Sequence, residues 1–195
     1  MWRRIQYWMG RIWMGVFGWR VEGALPATRK FVFIAAPHTS NWDLPFMIAT
    51  AYVLGVRISW LGKHTLFEGP FGGFMRALGG IPVDRRSRHS MVEQVAERFQ
   101  QAEELVLGIS PEGTRKKVEY WKSGFYHIAR AAQVPVGMGF LDFGRKVAGL
   151  GPLLPLTGDV RADMDQVRAF YRDLRGKLPE FECIPRLREE DPEQV

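Results

Sequence analysis

Only one cysteine, Cys183, occurs in the 195 residues. A single thiol excludes an internal disulfide framework and a cysteine-rich zinc site, and fits a reducing compartment. Histidine is scarce too: His38, His64, His89 and His127 are all there are. Their spacing matches no metal-ligand pattern, so no metal is expected. The first twenty residues hold Arg3, Arg4, Arg11 and Arg20 and no acid. They also lack a long apolar run. Arg11 breaks the stretch short of the ~20 apolar residues that a membrane span requires. The same break, with no small-x-small site before Arg20, argues against a signal peptide. No G-x-S-x-G elbow offers a serine nucleophile. "GFLDFGRK" (139–146) is a near miss to a phosphate loop, with Arg145 in the lysine position and no Ser or Thr to close it. Nucleotide hydrolysis is thereby excluded. No RNA- or DNA-binding signature is present, so nucleic acid is not an expected partner. Repeats, low-complexity tracts and linkers are absent as well.

What the chain does have is apolar content of 46%, enough for one domain with a sizeable core, and a net charge of +6. That excess points to an anionic partner. In the opening stretch, Trp2, Ile5, Met9, Ile12, Trp13, Val16 and Phe17 recur at helical spacing. Arg3, Arg4 and Arg11 gather on the opposite side. A basic side opposite a Trp-rich side suits a helix lying in the headgroup layer of a bilayer. Trp2, Arg3, Arg4, Trp8, Arg11 and Trp13 are then its membrane contacts. The plainer reading is an amphipathic helix packed on its own domain. Gly10, Gly15 and Gly18 weaken a helix in water, which favours ordering on a surface.

Further along, strands are expected over 30–36, 56–62, 104–110 and 134–143, with a short extended piece at 79–84. Helices are expected over 44–54, 72–78, 90–102, 125–132 and 160–178. Alternation of this kind predicts a single α/β domain: a mixed, mostly parallel sheet flanked by helices, with the amino-terminal amphipathic helix added. In such sheets active residues collect at the carboxyl ends of strands. His38 and the stretch "SPEGTRKK" (110–117) each follow an expected strand and so can share one rim.

His38 lies five positions before Asp43. A histidine can take a proton near neutral pH, and a carboxylate beside it can fix its tautomer and stabilise the imidazolium. With no nucleophile of its own in view, such a pair points to a substrate hydroxyl as nucleophile. Taken alone, Asp43 is more simply the cap of the helix beginning at Leu44. In "SPEGTRKK", Gly113 allows close backbone approach, Thr114 can donate a hydrogen bond, and Arg115 can grip phosphate in a fork. Glu112 would repel phosphate, and pairs better with an arginine or an acceptor hydroxyl. In "GGIPVDRR" (79–86), Arg85 and Arg86 follow a glycine turn and offer a second anion contact. Separately, both stretches read as basic turns in solvent.

Together and in this order, "HTSNWD", "GGIPVDR", "SPEGTR" and "VPVGMG" resemble the four motifs of the glycerolipid acyltransferases, the family that includes lysophosphatidic acid acyltransferases. The likeness runs from about 31 to 139. It implies an O-acyltransferase that moves a fatty acyl group from acyl-CoA or acyl-carrier protein to the hydroxyl of a lysophospholipid or related lyso-lipid. The donor is a co-substrate, and no cofactor or metal is implied. His38 would be the general base and Asp43 its orienter. Arg85, Glu112, Gly113, Thr114 and Arg115 would bind the acceptor's phosphate or head group, and Pro135 would position the thioester. Residues 1–22 would be the membrane-associating helix, 23–182 the acyltransferase domain and 183–195 a loose tail. The implied place is peripheral, on the cytoplasmic face of a membrane. The sequence departs from the family pattern at Pro37, where many members have Asn, at Ser110, where an aromatic is common, and at Lys63-His64, where Lys-x-Glu is frequent. These departures bear on the acceptor, and a lyso-aminolipid stays open. The alternative is a non-catalytic lipid-binding protein with the same fold, for which the His38–Asp43 pair would have no use.

Overall fold

The computed structural model describes residues 1–83 and 88–191. The elements run α1 (Trp2–Val16), β1 (Arg20–Glu22), β2 (Lys30–Ala36), α2 (Asp43–Leu54), β3 (Ile58–Lys63), a 3-10 turn (His64–Phe67), α3 (Gly72–Ala77), β4 (Gly80–Val83), α4 (Arg88–Gln101), β5 (Leu105–Ile109), α5 (Gly124–Ala132), β6 (Val136–Asp142), β7 (Val147–Leu154) and α6 (Val160–Tyr171). One sheet holds the strands in the order β1-β7-β6-β2-β5-β3-β4. Every pairing is parallel except β6 with β7, which form a hairpin. The mixed, mostly parallel sheet flanked by helices matches the expectation from alternating patterns.

Side chains alternate across β2, and this sorts the helices into two layers. Val32, Ile34 and Ala36 enter a core with Val95 and Phe99 of α4, Phe125 and Ile128 of α5, and Met164 and Val167 of α6. Phe31 and Phe33 point the other way, toward Met47 and Leu54 of α2. Helix α1 lies on α2, with Met14 buried against Phe46 and Ala49. On β3 and β4, Leu61, Ile81 and Val83 face the α4–α6 layer. Gly62 and Gly80 face Phe67 of the 3-10 turn instead, which puts the 3-10 turn and α3 on the same side as α1 and α2. The arrangement follows from chain direction. Right-handed crossovers that move one way along the sheet pack on one face, and those that return pack on the other.

Several expectations are corrected by the packing. Helix α1 is not left to order on a surface, since it docks on α2. Gly10 makes that possible: a Cβ there would sit 2.6 Å from the Ala49 carbonyl. Trp13 is not an outward membrane contact. Its ring is half-buried against Phe17 and Phe46, at centroid distances of 4.8 and 6.0 Å, and its Nε1 is buried with no partner among the described residues. The tail is not loose over 183–191. Leu187 is fully buried, Arg168 pairs with Glu190 at 2.6 Å, and the Arg186 carbonyl accepts the Trp121 N–H. Strand β7 was not expected, because two glycines and a proline within "VAGLGPLL" mask its period. "GFLDFGRK" is the β6–β7 hairpin, its turn closed by Asp142 accepting the Gly144 and Arg145 N–H groups. Helix α6 stops at Tyr171, seven residues short of its expected end.

Candidate active site

Strands β2 and β5 run side by side and parallel, with Ile34 opposite Ile109. Each leaves the sheet at its carboxyl rim, so the loop carrying His38 and the loop beginning at Ser110 emerge together. The site is built on that adjacency.

His38 Nδ1 lies 2.9 Å from Asp43 Oδ2. The same oxygen accepts the backbone N–H groups of Thr39 and Ser40, each at 2.9 Å. Asp43 is the first residue of α2, yet its side chain does not cap that helix. It ties back the loop that holds His38. Oδ2 alone takes all three donors, and Oδ1 is buried with no partner among the described residues. Burial of Asp43 is nearly complete, and His38 is partly open, with a quarter of its side chain exposed. A carboxylate on Nδ1 keeps the proton there, which leaves Nε2 as the basic nitrogen.

Glu112 departs from its expected role. It is buried, and its Oε1 accepts the backbone N–H of His38 at 3.1 Å, while Oε2 is buried with no partner among the described residues. Its carboxyl therefore braces His38 from behind and is not open to a head group. Burial pushes its pKa from the ordinary 4.5 up to about 7, against the lowering effect of its backbone hydrogen bonds. Gly113 turns the loop at a positive φ of 64°, and its N–H donates to the Ser110 carbonyl. Thr114, Arg115 and Lys116 then stand exposed.

Two cavities meet at His38. One, of about 270 Å³, runs between α2 and the sheet and is mostly apolar, lined by Phe31, Phe33, Met47, Leu54, Ile58 and Leu150 among others. The second, of about 820 Å³, is wider and more polar, lined by Thr39, Ser40, Gly113, Thr114, Lys116 and Phe181 among others. His38, Asn41, Ser110 and Arg115 line both. Gly113, Thr114 and Arg115 thus share a pocket wall with His38, since both loops follow a strand at the same rim. Arg85 lies outside the described residues.

Pro135 is placed elsewhere. It precedes β6, where Val136 pairs in parallel with Val32, and its carbonyl accepts the Val32 N–H. His38 comes six residues after Val32, about 20 Å further along a strand direction. Pro135 is therefore at the amino end of the sheet, away from the thioester position assigned to it. Sequence reasoning also missed the segment after α6. The Leu178 N–H donates to Thr39 Oγ1 at 3.2 Å, Phe181 lines the polar cavity, and Lys177 Nζ sits 5.0 Å over the Trp42 ring. Its apolar and lysine content carries no motif that would have marked it.

Residues 19–137 match the Acyltransferase family. The 1-acyl-sn-glycerol-3-phosphate acyltransferase of Haemophilus influenzae is 27% identical, over 87% of this chain and 78% of that protein. The crystal structure of the 1-acyl-sn-glycerophosphate acyltransferase of Thermotoga maritima superposes with a TM-score of 0.60 at 18% identity. That superposition covers 87% of this chain and 77% of the other. At that identity the likeness is one of fold. The family match spans well over half the chain, from β1 into β6, and takes in both the His38 loop and the loop that braces it. On these grounds the chain is a member of the acyltransferase family.

Proposed function

We propose that this enzyme acylates the free hydroxyl of a lysophosphatidic acid-like acceptor, in phospholipid biosynthesis, with acyl-CoA or acyl-carrier protein as donor. The observation that carries the reading is the place of His38, at the junction of an apolar cavity and a polar one. The acyl chain would lie in the apolar cavity and the acceptor's head group in the polar mouth. Nε2 of His38 takes the hydroxyl proton as the oxygen attacks the thioester carbon. The C–S bond then breaks, and the leaving thiolate takes the proton from the imidazolium. Asp43 holds the imidazole and offsets its positive charge in the transition state. No acyl-enzyme is needed, and Cys183 lines neither cavity. Arg115, with Lys116 and the Thr114 hydroxyl, supplies the donors and positive potential for a phosphate.

The enzyme would sit peripherally on the cytoplasmic face of a membrane. Trp2, Arg3, Arg4, Trp8 and Arg11 are exposed along α1 and would make the contact. Among the described residues no helix is long and apolar enough to cross a membrane.

Thiol release from acyl-CoA and from acyl-carrier protein, against lysophosphatidic acid and a lyso-aminolipid, tests the reading. Turnover with lysophosphatidic acid is expected, and turnover only with the aminolipid would reassign the acceptor. In the same assay, Arg115→Ala is expected to raise the acceptor KM roughly tenfold with little change in kcat, because a binding contact is lost in ground and transition states alike. An unchanged KM would remove Arg115 from that role.

A further inference from the structure

Fifteen of the seventeen large apolar side chains exposed among the described residues lie within 1–16, 42–48 and 66–78. All three segments belong to one face of the sheet. Exposed apolar groups are ordinary when scattered, but confinement to one face marks an interaction surface. Helix α1 accounts for part of it, and the segment after β3 is a separate contributor. Phe71, Phe74 and Leu78 are 71%, 58% and 54% exposed. Their spacing of three and four residues aligns them along α3 and its two caps. The stripe is held firmly from beneath. Gly72 packs on the Phe67 carbonyl, Arg76 donates to that carbonyl at 3.2 Å and stacks over the Phe67 ring, and Trp60 Nε1 donates to the Leu78 carbonyl at 3.1 Å.

Charge identifies the occupant. The first eighty residues, which build this face and its central strands, hold nine Lys and Arg against three Asp and Glu. One of those acids, Asp43, is buried in the active site. The remaining residues carry eighteen of each sign, so the whole net charge of +6 belongs to the part of the chain that makes this face. Two copies meeting through it would bring like charge together, whereas an anionic bilayer complements it.

We infer that α3, through Phe71, Phe74 and Leu78, is a second membrane-inserting element, separate from α1, so that the enzyme rests on an anionic bilayer by one whole face of its sheet. This rests on the peripheral-membrane reading above and adds a second point of attachment to it. Attachment at two separated elements fixes the tilt of the domain, which a single helix does not. It also sets the apolar cavity between the sheet and the lipid.

Sedimentation of the full chain with vesicles of 70 mol% phosphatidylcholine and 30 mol% phosphatidylglycerol tests it. F71S/F74S/L78S is expected to lower vesicle partitioning roughly tenfold or more. Its melting temperature and its turnover of detergent-dispersed substrate are expected to match the wild type. W2S/W8S/I12S should lower partitioning as well. If only the α1 variant loses binding, α3 is not an anchor and the peripheral reading stands. If the wild type does not sediment with vesicles, both readings fall. If the α3 substitutions abolish self-association and leave vesicle binding intact, the face is a dimer contact and the inference is overturned. A second measurement covers a misfolded triple variant. Phe74→Cys in a Cys183→Ser background, carrying an environment-sensitive dye, should shift to the blue on vesicles, and no shift overturns the inference.

Discussion

Replacing His38 with alanine is expected to lower kcat by at least about 100-fold, the lower end of what general base catalysis contributes. The acceptor and donor KM values should change little, because the proposed role of the imidazole is proton transfer and the two cavities proposed to bind the substrates remain. The expectation rests on the contact between Nδ1 and Asp43 Oδ2 at 2.9 Å, which leaves the other ring nitrogen as base. A second arm strengthens it. Asp43→Asn should also lower kcat, and adding it to His38→Ala should cost little more, since the two side chains act as one unit. Single-turnover rates with saturating acyl-CoA provide the measurement. Near wild-type chemistry in His38→Ala would remove His38 as the base. Fully additive losses would show that Asp43 acts on something other than the histidine.

Glu112 should make the fold less stable as pH rises. In the unfolded chain its carboxyl ionises near 4.5, but in the fold burial raises the pKa to about 7. Between those values the folded state holds a proton that the unfolded state has lost. Its stabilising effect is full below about 4.5 and is lost as pH climbs through about 7. The loss amounts to about 3 kcal/mol at most, from a shift of this size. Glu112→Gln keeps an acceptor for the His38 N–H and removes the titration. Urea unfolding at pH 5 and pH 8 is therefore expected to show the glutamine variant gaining about 2 to 3 kcal/mol on the wild type over that interval. A difference between the two proteins that does not vary with pH would mean that Glu112 is already ionised in the fold at pH 5. Functionally, the carboxyl braces the base by its backbone, and its ionisation would set a second negative charge close to Asp43.

The parts of the site that were legible in the sequence share one property: they are local. His38 and Asp43 lie within a single loop and the first turn of a helix, so their separation along the chain already limits them to one neighbourhood. Strand β2 was readable because six of its seven residues, after Lys30, form one apolar run. The Gly113–Arg115 turn was readable because glycine and the residues beside it have few other uses at a strand end. Three of the errors at the site and on α1 are non-local. Glu112 was assigned to the head group by the family resemblance, yet a contact 74 residues away takes it inward to the His38 backbone. Pro135 was placed by motif order, but strand direction sets it at the far end of the sheet. Trp13 shared a helical period with outward residues, and only the docking of α1 on α2 shows which side of that period is covered.

The sequence by itself determined the alternation of strands and helices, the closeness of His38 and Asp43 along the chain and the amphipathic period of α1. Each depends on spacing within a few turns or one strand, where backbone geometry leaves little choice. Tertiary structure alone decided that the 176–181 segment walls the polar cavity, that β7 closes the hairpin with β6, and that α3 shares its face with α1. Those outcomes depend on strand order and crossover hand, which bring distant residues together through packing that no short stretch encodes.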